Sequence, residues 1–144
     1  MRDRKKQSKK QSAAADVAVG KRKESVARAS IKPGTGKVKI NSRPLEVIEN
    51  EMLLLKIKEP IMLAGEEAGK YDISVNVHGG GSIGQTDAIR QAIAKCLVLK
   101  VPMLKKQFME YDRSLIVADT RRKEQHKPPH SSWGARRYKQ RSKR

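Results

Sequence analysis

The chain has 144 residues, and its single cysteine excludes a disulfide framework and indicates a reducing compartment. Its hydrophobic fraction of 37% predicts one small core, while the lack of a long apolar run predicts neither a membrane span nor a secretory signal. Residues 1–40 hold 13 basic and 3 acidic residues, residues 41–120 hold 10 and 11, and residues 121–144 hold 10 and 1. Because a nearly neutral body carries two cationic ends, we expect a folded scaffold whose basic extensions bind a polyanion. We expect this polyanion to be a nucleic acid.

The first part of the chain, residues 1–16, is polar, basic and aperiodic, which predicts a disordered arm. Such an arm either touches RNA or is only a solvated tail. Apolar residues recur from Val17 onward, so the sequence predicts a globular α+β domain over 17–120. The remaining residues, 121–144, lose that periodicity and are predicted to form an extended basic tail.

Two short segments, 25–31 and 37–40, alternate apolar and polar residues on either side of a Pro-Gly-Thr-Gly turn. They predict a β-hairpin with Val26, Val38 and Ile40 pointing inward. The cations in and beside this hairpin form either an RNA-binding strip or a solvated face, and they are Lys21, Arg22, Lys23, Arg28, Lys37 and Lys39.

Further elements follow at helical or strand spacing. The first is a helix over 45–58, which Pro60 ends or breaks, with one more turn over 61–64; its core stripe is Leu45, Ile48, Met52, Leu55 and Ile57. The others are a strand over 71–78, a helix over 85–99, a helix from Pro102 to Phe108, and a strand over 115–118. The inward residues of the helix over 85–99 are Ala88, Ala92, Ile93, Cys96 and Leu97. This order predicts an α+β two-layer fold, a sheet with helices packed on one face.

A glycine-rich turn joins the strand over 71–78 to the long helix, and its glycines are Gly79, Gly80, Gly81 and Gly84. Glycines before a helix allow close backbone approach to an anion. The turn could therefore contact an RNA phosphate, bind a nucleotide, or only make a tight connection. It lacks the Lys-Ser/Thr of a Walker loop, and His126 and His130 flank two prolines without a zinc-ligand pattern. We expect no metal, no cofactor and no enzymatic activity.

The predicted tail combines cations with aromatic rings that can stack on bases. Its candidate RNA-binding residues are Arg121, Arg122, Lys123, Arg136, Arg137, Tyr138, Lys139 and Arg141. Trp133 offers a second stacking face. The alternative is a solubilising tail without a specific contact.

Short segments from Gly20 onward match one family in order. They are Gly20-Lys21-Arg22-Lys23, Val26-Ala27-Arg28-Ala29, Pro33-Gly34-x-Gly36, Asn76-Val77 before Gly79-Gly80-Gly81, Gly84-Gln85-x-Asp87-Ala88, Tyr111-Asp112-Arg113-Ser114-Leu115, Asp119-x-Arg121-Arg122 and Gly134-Ala135-Arg136. As an ordered set they resemble the universal ninth protein of the small ribosomal subunit, in its archaeal/eukaryotic-type form.

The resemblance implies a four-stranded sheet with helices on one face, like the second domain of the fifth small-subunit protein. It implies a structural, non-enzymatic role in the head of the small subunit, bound to the 3′ major domain of the ribosomal RNA and to neighbouring head proteins. It also implies a cytoplasmic ribosome as the location, with no membrane and no small-molecule substrate. Finally, it implies that the tail reaches the peptidyl-site tRNA through Ser142, Lys143 and Arg144.

Two other functions stay open on the residues alone. A general nucleic-acid-binding protein outside the ribosome would also carry cationic ends. A nucleotide-binding enzyme would use the glycine-rich turn, but it would need a catalytic carboxylate and a metal site that the sequence does not indicate.

Overall fold

A computed structural model describes residues 16–123, which form one layer of sheet and one layer of helices. The strands are β1 (Asp16–Arg22), β2 (Ser25–Pro33), β3 (Val38–Ile40), β4 (Arg43–Pro44) and β5 (Tyr71–His78). The helices are α1 (Glu51–Ala64), α2 (Glu66–Gly69), α3 (Ser82–Lys100) and α4 (Leu104–Tyr111), and two 3-10 turns span Leu45–Val47 and Arg113–Leu115. Within the described range, no helix is both long enough and apolar enough to cross a membrane.

The sheet has the strand order β1-β2-β5-β3-β4. β3 runs parallel to β5, while the other neighbouring strands are antiparallel. Along β2 and β5 buried and exposed residues alternate, so one sheet face is covered and the other is open. The predicted α+β fold with helices on one face is confirmed, and the two-residue β4 extends the expected four strands to five.

The predicted hairpin between residues 25–31 and 37–40 is wrong. β2 pairs with β1 and β5, and β3 pairs with β5 instead of β2. β5 supplies the partners that hold β3: the Ile73 N–H donates to the Lys37 carbonyl at 2.9 Å, and the Asn41 N–H donates to the Val75 carbonyl at 2.8 Å. β5 therefore lies between β2 and β3 in the sheet, and β1 pairs with the other edge of β2.

The covered face of β2 consists of Ser25, Ala27, Ala29 and Ile31, so the inward orientation predicted for Val26 is wrong. Small side chains are required there because α3 packs close to β1 and β2. At Gly20 in β1, an added Cβ would lie 2.0 Å from the Ala88 carbonyl oxygen of α3. The inward stripe predicted for α3 is confirmed, since its five residues are all buried.

Helix α1 begins and ends later than predicted. Asn50 caps its start by accepting a hydrogen bond from the Leu53 N–H at 3.3 Å. Pro60 lies inside the helix, where its ring removes one backbone hydrogen bond but is buried in the core. Met52 and Leu55, which were predicted to be core residues, lie on the exposed side of the helix and are 73% and 48% exposed.

The strand predicted over 115–118 is absent from the described chain. Its first residue, Leu115, ends a 3-10 turn and is buried, whereas Val117 is exposed. Asp112 caps this turn by accepting a hydrogen bond from the Ser114 N–H at 2.8 Å. A capped turn with one buried anchor takes the place of the strand.

Candidate nucleic-acid interface

The open sheet face, defined by Lys21, Arg28, Lys32 and Lys39 with the uncharged residues between them, carries cations from three strands. Strand alternation places these side chains opposite the residues that α3 covers. In the register of the sheet, Arg28 lies between Val19 and Asn76. Lys39 lies beside Ser74. The structure thus brings three residues of the predicted strip, Lys21, Arg28 and Lys39, to one surface.

The one carboxylate on the open sheet face belongs to Asp72, and it is engaged by backbone groups. Its Oδ1 accepts hydrogen bonds from the Thr35 N–H at 2.8 Å and the Lys37 N–H at 2.9 Å. These bonds, led by the one from Lys37, lower the pKa of the Asp72 carboxyl below its usual value. The carboxylate holds the turn after β2, and the face keeps an excess of cations.

Lys32 is a member of this face that the sequence analysis missed. Together with Lys37 and Lys39 it lines a shallow depression of about 330 Å³, whose floor includes Ser30 and Ser74. The signal was present in the sequence, because Arg28, Ser30 and Lys32 alternate along one strand. Lys37, by contrast, lies just outside the strands, in the turn that Asp72 holds.

The glycine-rich turn packs tightly against the turn between β1 and β2. Gly79 and Gly80 have φ values of 77° and 65°, in the region that favours glycine. A Cβ on Gly80 would lie 2.2 Å from the Ser25 hydroxyl, and that hydroxyl donates to the Gly79 carbonyl at 2.9 Å. Close packing accounts for these two glycines. Gly81 has open space around its Cβ position, so packing does not explain it.

A groove of about 640 Å³ runs beside this turn at the start of α3. Four predicted rRNA-binding residues line it: Lys23, Arg121, Arg122 and Lys123. Gly81 precedes α3 without a side-chain cap on the helix. Residues at opposite ends of the described chain therefore meet at one basic groove, which their sequence separation did not reveal.

Arg22 and Arg121, both predicted to bind RNA, are held in ion pairs with residues of the described chain. Arg22 pairs with Asp119 and also lies 3.6 Å from the Asp87 carboxylate. Arg121 donates to Asp119 at 2.8 Å, although 81% of its side chain remains exposed. The bonds from Arg121, with the charge of Arg22, lower the pKa of the Asp119 carboxyl to about 2. Arg22 thus fixes the start of the C-terminal segment.

The other predicted contacts lie outside the described residues 16–123. For rRNA these are Arg136, Arg137, Tyr138, Lys139 and Arg141, and for tRNA they are Ser142, Lys143 and Arg144. Among the described residues, no group of three or more His, Cys, Asp or Glu side chains could hold a metal ion.

Comparison with known proteins gives one consistent result. Residues 20–144 match the family model described as Ribosomal protein S9/S16. The chain is 45% identical over 128 residues to the small ribosomal subunit protein uS9 of Methanococcus vannielii, covering 88% of this chain and 96% of that protein. It is 45% identical over 130 residues to the protein of the same name from Picrophilus torridus, covering 89% and 96%. The chain belongs to the ribosomal protein S9/S16 family.

Proposed function

We propose that this chain binds ribosomal RNA in the head of the small subunit and extends its C-terminal residues toward the peptidyl-site tRNA. As a member of a family of structural ribosomal proteins, it is a constituent of the small ribosomal subunit and not an enzyme. Its proposed partners are the 3′ major domain of that RNA, the tRNA and neighbouring head proteins. Its proposed location is the cytoplasmic ribosome.

The observation that carries the RNA-binding proposal is the open sheet face. Four exposed cations lie on the open face of the sheet, and the one carboxylate among them is engaged by the turn after β2. Cations on a fixed surface can neutralise phosphates without losing much conformational freedom, and each contact releases counterions. The Ser74 hydroxyl and the Asn76 amide beside them can donate to phosphate or sugar oxygens.

The basic groove at the start of α3 is the second proposed contact region. Lys23 and Arg122 line it from two distant parts of the chain. An RNA backbone lying in the groove would pass the glycine-rich turn, which is the phosphate contact proposed for Gly81 and Gly84. Asp119 neutralises part of the charge of Arg22 and Arg121, so we assign these two a positioning role beside any RNA contact.

The tail is proposed as the third contact. Residues 131–144 hold six cations, so their removal should lower RNA affinity and reduce the slope of log K against log salt by up to about 5. Binding would be measured with a fragment of the small-subunit RNA over a salt series, using the full chain and the truncated chain. Because residues 131–144 lack the apolar periodicity of a packed helix or strand, we expect an unchanged circular dichroism spectrum. Equal salt slopes for both chains would contradict the tail contact.

A general nucleic-acid-binding protein is the alternative that the same charges allow. It would bind duplex DNA as tightly as ribosomal RNA. A competition experiment with both nucleic acids separates the two functions: we expect RNA from the small subunit to displace DNA, whereas equal competition would favour the alternative.

A further inference from the structure

The outer side of α1 carries an apolar stripe that the described residues 16–123 leave uncovered. We define the α1 stripe as Met52, Leu55 and Met62, which are 73%, 48% and 71% exposed. Their spacings of three and seven residues place them on one side of the helix. The buried residues of α1 are instead Ile57, Pro60 and Ala64, on the side that packs against the rest of the fold.

Acidic residues are concentrated in α1 and in the segments directly before and after it, in a chain that is otherwise strongly cationic. Residues 46–67 contain six glutamates and two lysines, a net charge of −4, whereas the whole chain carries +18. Glu59 is paired with Arg90, and Glu67 with Lys70. The other four glutamates form no ion pair within residues 16–123, and all are exposed: Glu46, Glu49, Glu51 and Glu66.

An exposed apolar stripe beside unpaired glutamates does not suit RNA, so the α1 stripe does not share the RNA-binding role assigned to the open sheet face. Unpaired carboxylates repel phosphates, and methionine and leucine side chains offer them no donor. A second copy of the chain would bring the same negative charge to the same face. The chain's own residues 1–15 are basic, but their apolar side chains are only Met1 and three alanines, too small to cover the stripe.

We propose that the α1 stripe docks another protein of the small subunit through a cationic segment that carries large apolar side chains. Apolar contacts would fill the centre of this interface, with Lys or Arg of the partner facing the glutamates at its rim. The proposal rests on the proposed function, because it assumes that the chain is assembled into the particle. It divides the surface into an RNA side, the open sheet face, and a protein side, the α1 stripe.

Site-specific photocrosslinking in assembled particles tests this division. The full chain would carry p-benzoylphenylalanine in place of Met62, or in place of Arg28 as the matched position on the open sheet face. Both side chains are exposed, so neither replacement disturbs the core. Small subunits would be isolated by sedimentation, irradiated, and digested with nuclease or protease.

We expect the Met62 position to give a nuclease-resistant adduct with another protein, at a peptide rich in Lys or Arg, and the Arg28 position to give an RNA adduct. Glu49→Lys should lower the Met62 adduct per incorporated chain about threefold. Glu24→Lys, outside the acidic segment, should leave it unchanged. An adduct with RNA or with a second copy, or no protein adduct in particles that contain the chain, would overturn the proposal. If the chain did not sediment with the small subunit, the proposed function itself would fail.

Discussion

The guanidinium of Arg22, at the end of β1, is ion-paired with the carboxylate of Asp119, which follows 97 residues later. The same carboxylate accepts hydrogen bonds from the Arg121 backbone and side chain. Asp87 on α3 lies within 3.6 Å of Arg22 on its other side. The first strand, the long helix and the start of the C-terminal segment are therefore joined by one ionic cluster, next to the basic groove.

Asp119→Asn should lower the stability of the folded chain at neutral pH, because Arg22 loses one of its two charged partners and Arg121 loses its ion pair with Asp119. The folded pKa of Asp119 is about 2 instead of its ordinary 3.8. Its contribution is therefore fully present above pH 3.8 and is lost as the pH falls toward 2. Urea midpoints measured between these pH values should fall more steeply for the original chain than for the variant. Glu110→Gln, at an exposed site on α4, serves as the control. Parallel pH profiles for the original chain and Asp119→Asn would refute the role of the ion pair.

Gly20→Ala should destabilise the domain by about 1–3 kcal/mol through overpacking. The new methyl group would lie 2.0 Å from the Ala88 carbonyl oxygen and 2.7 Å from the Ala92 nitrogen, so β1 would have to move away from α3. Gly69→Ala is the matched control, since nothing lies within 4 Å of its Cβ position. Denaturant unfolding of the two variants measures the difference. Equal stability would mean that β1 does not lie as close to α3 as described.

Removing two cations from the open sheet face should weaken RNA binding without altering the fold. The double variant Arg28→Ala with Lys39→Ala should reduce the slope of log K against log salt by about 1.5. Lys105→Ala with Lys106→Ala removes two exposed cations from α4 and is the control for net charge. If both pairs change affinity and slope equally, total charge and not the open sheet face determines binding.

Cys96 should resist thiol reagents while the chain is folded. Its side chain is fully buried, its thiol donates to the Ala29 carbonyl at 3.1 Å, and burial raises its pKa to about 11. Labelling at pH 8 should therefore be slow in buffer and rapid in denaturant. Rapid labelling without denaturant would show that α3 does not cover β2 as described.

The sequence predicted the elements whose own residues carry the pattern. The strand over 71–78 matches β5 residue for residue, and the inward stripe of α3 is correct. The ordered family motifs also predicted the fold class and the family. In these segments burial and local periodicity agree, so local reasoning was sufficient.

Pairing and packing decided the remaining elements. Alternation cannot reveal whether β3 joins β2 or β5, because both pairings satisfy the same pattern. β1 was missed because its covered positions are Ala18 and Gly20, small residues that leave a weak apolar signal. Pro60 was expected to end or break a helix, but α1 continues through it to Ala64 and the proline ring is buried.

The candidate interface was only partly predictable for the same reason. Lys21, Arg28 and Lys39 were identified from charge alone, yet only the sheet register places them on one face. The groove that brings Lys23 to Arg122 lies beside the ionic cluster around Asp119, and no local pattern reports a contact between residues so far apart.

Sedimentation of the tagged, full-length chain from a cell lysate through a high-salt sucrose gradient is the most direct measurement. A ribosomal constituent is held by many phosphate contacts and by its place in the particle, so it should travel with the small subunit at a fixed ratio as salt rises. If the chain stays at the top of the gradient, or leaves the particle at the first increase in salt, its attachment is superficial and its proposed role in the small subunit is wrong.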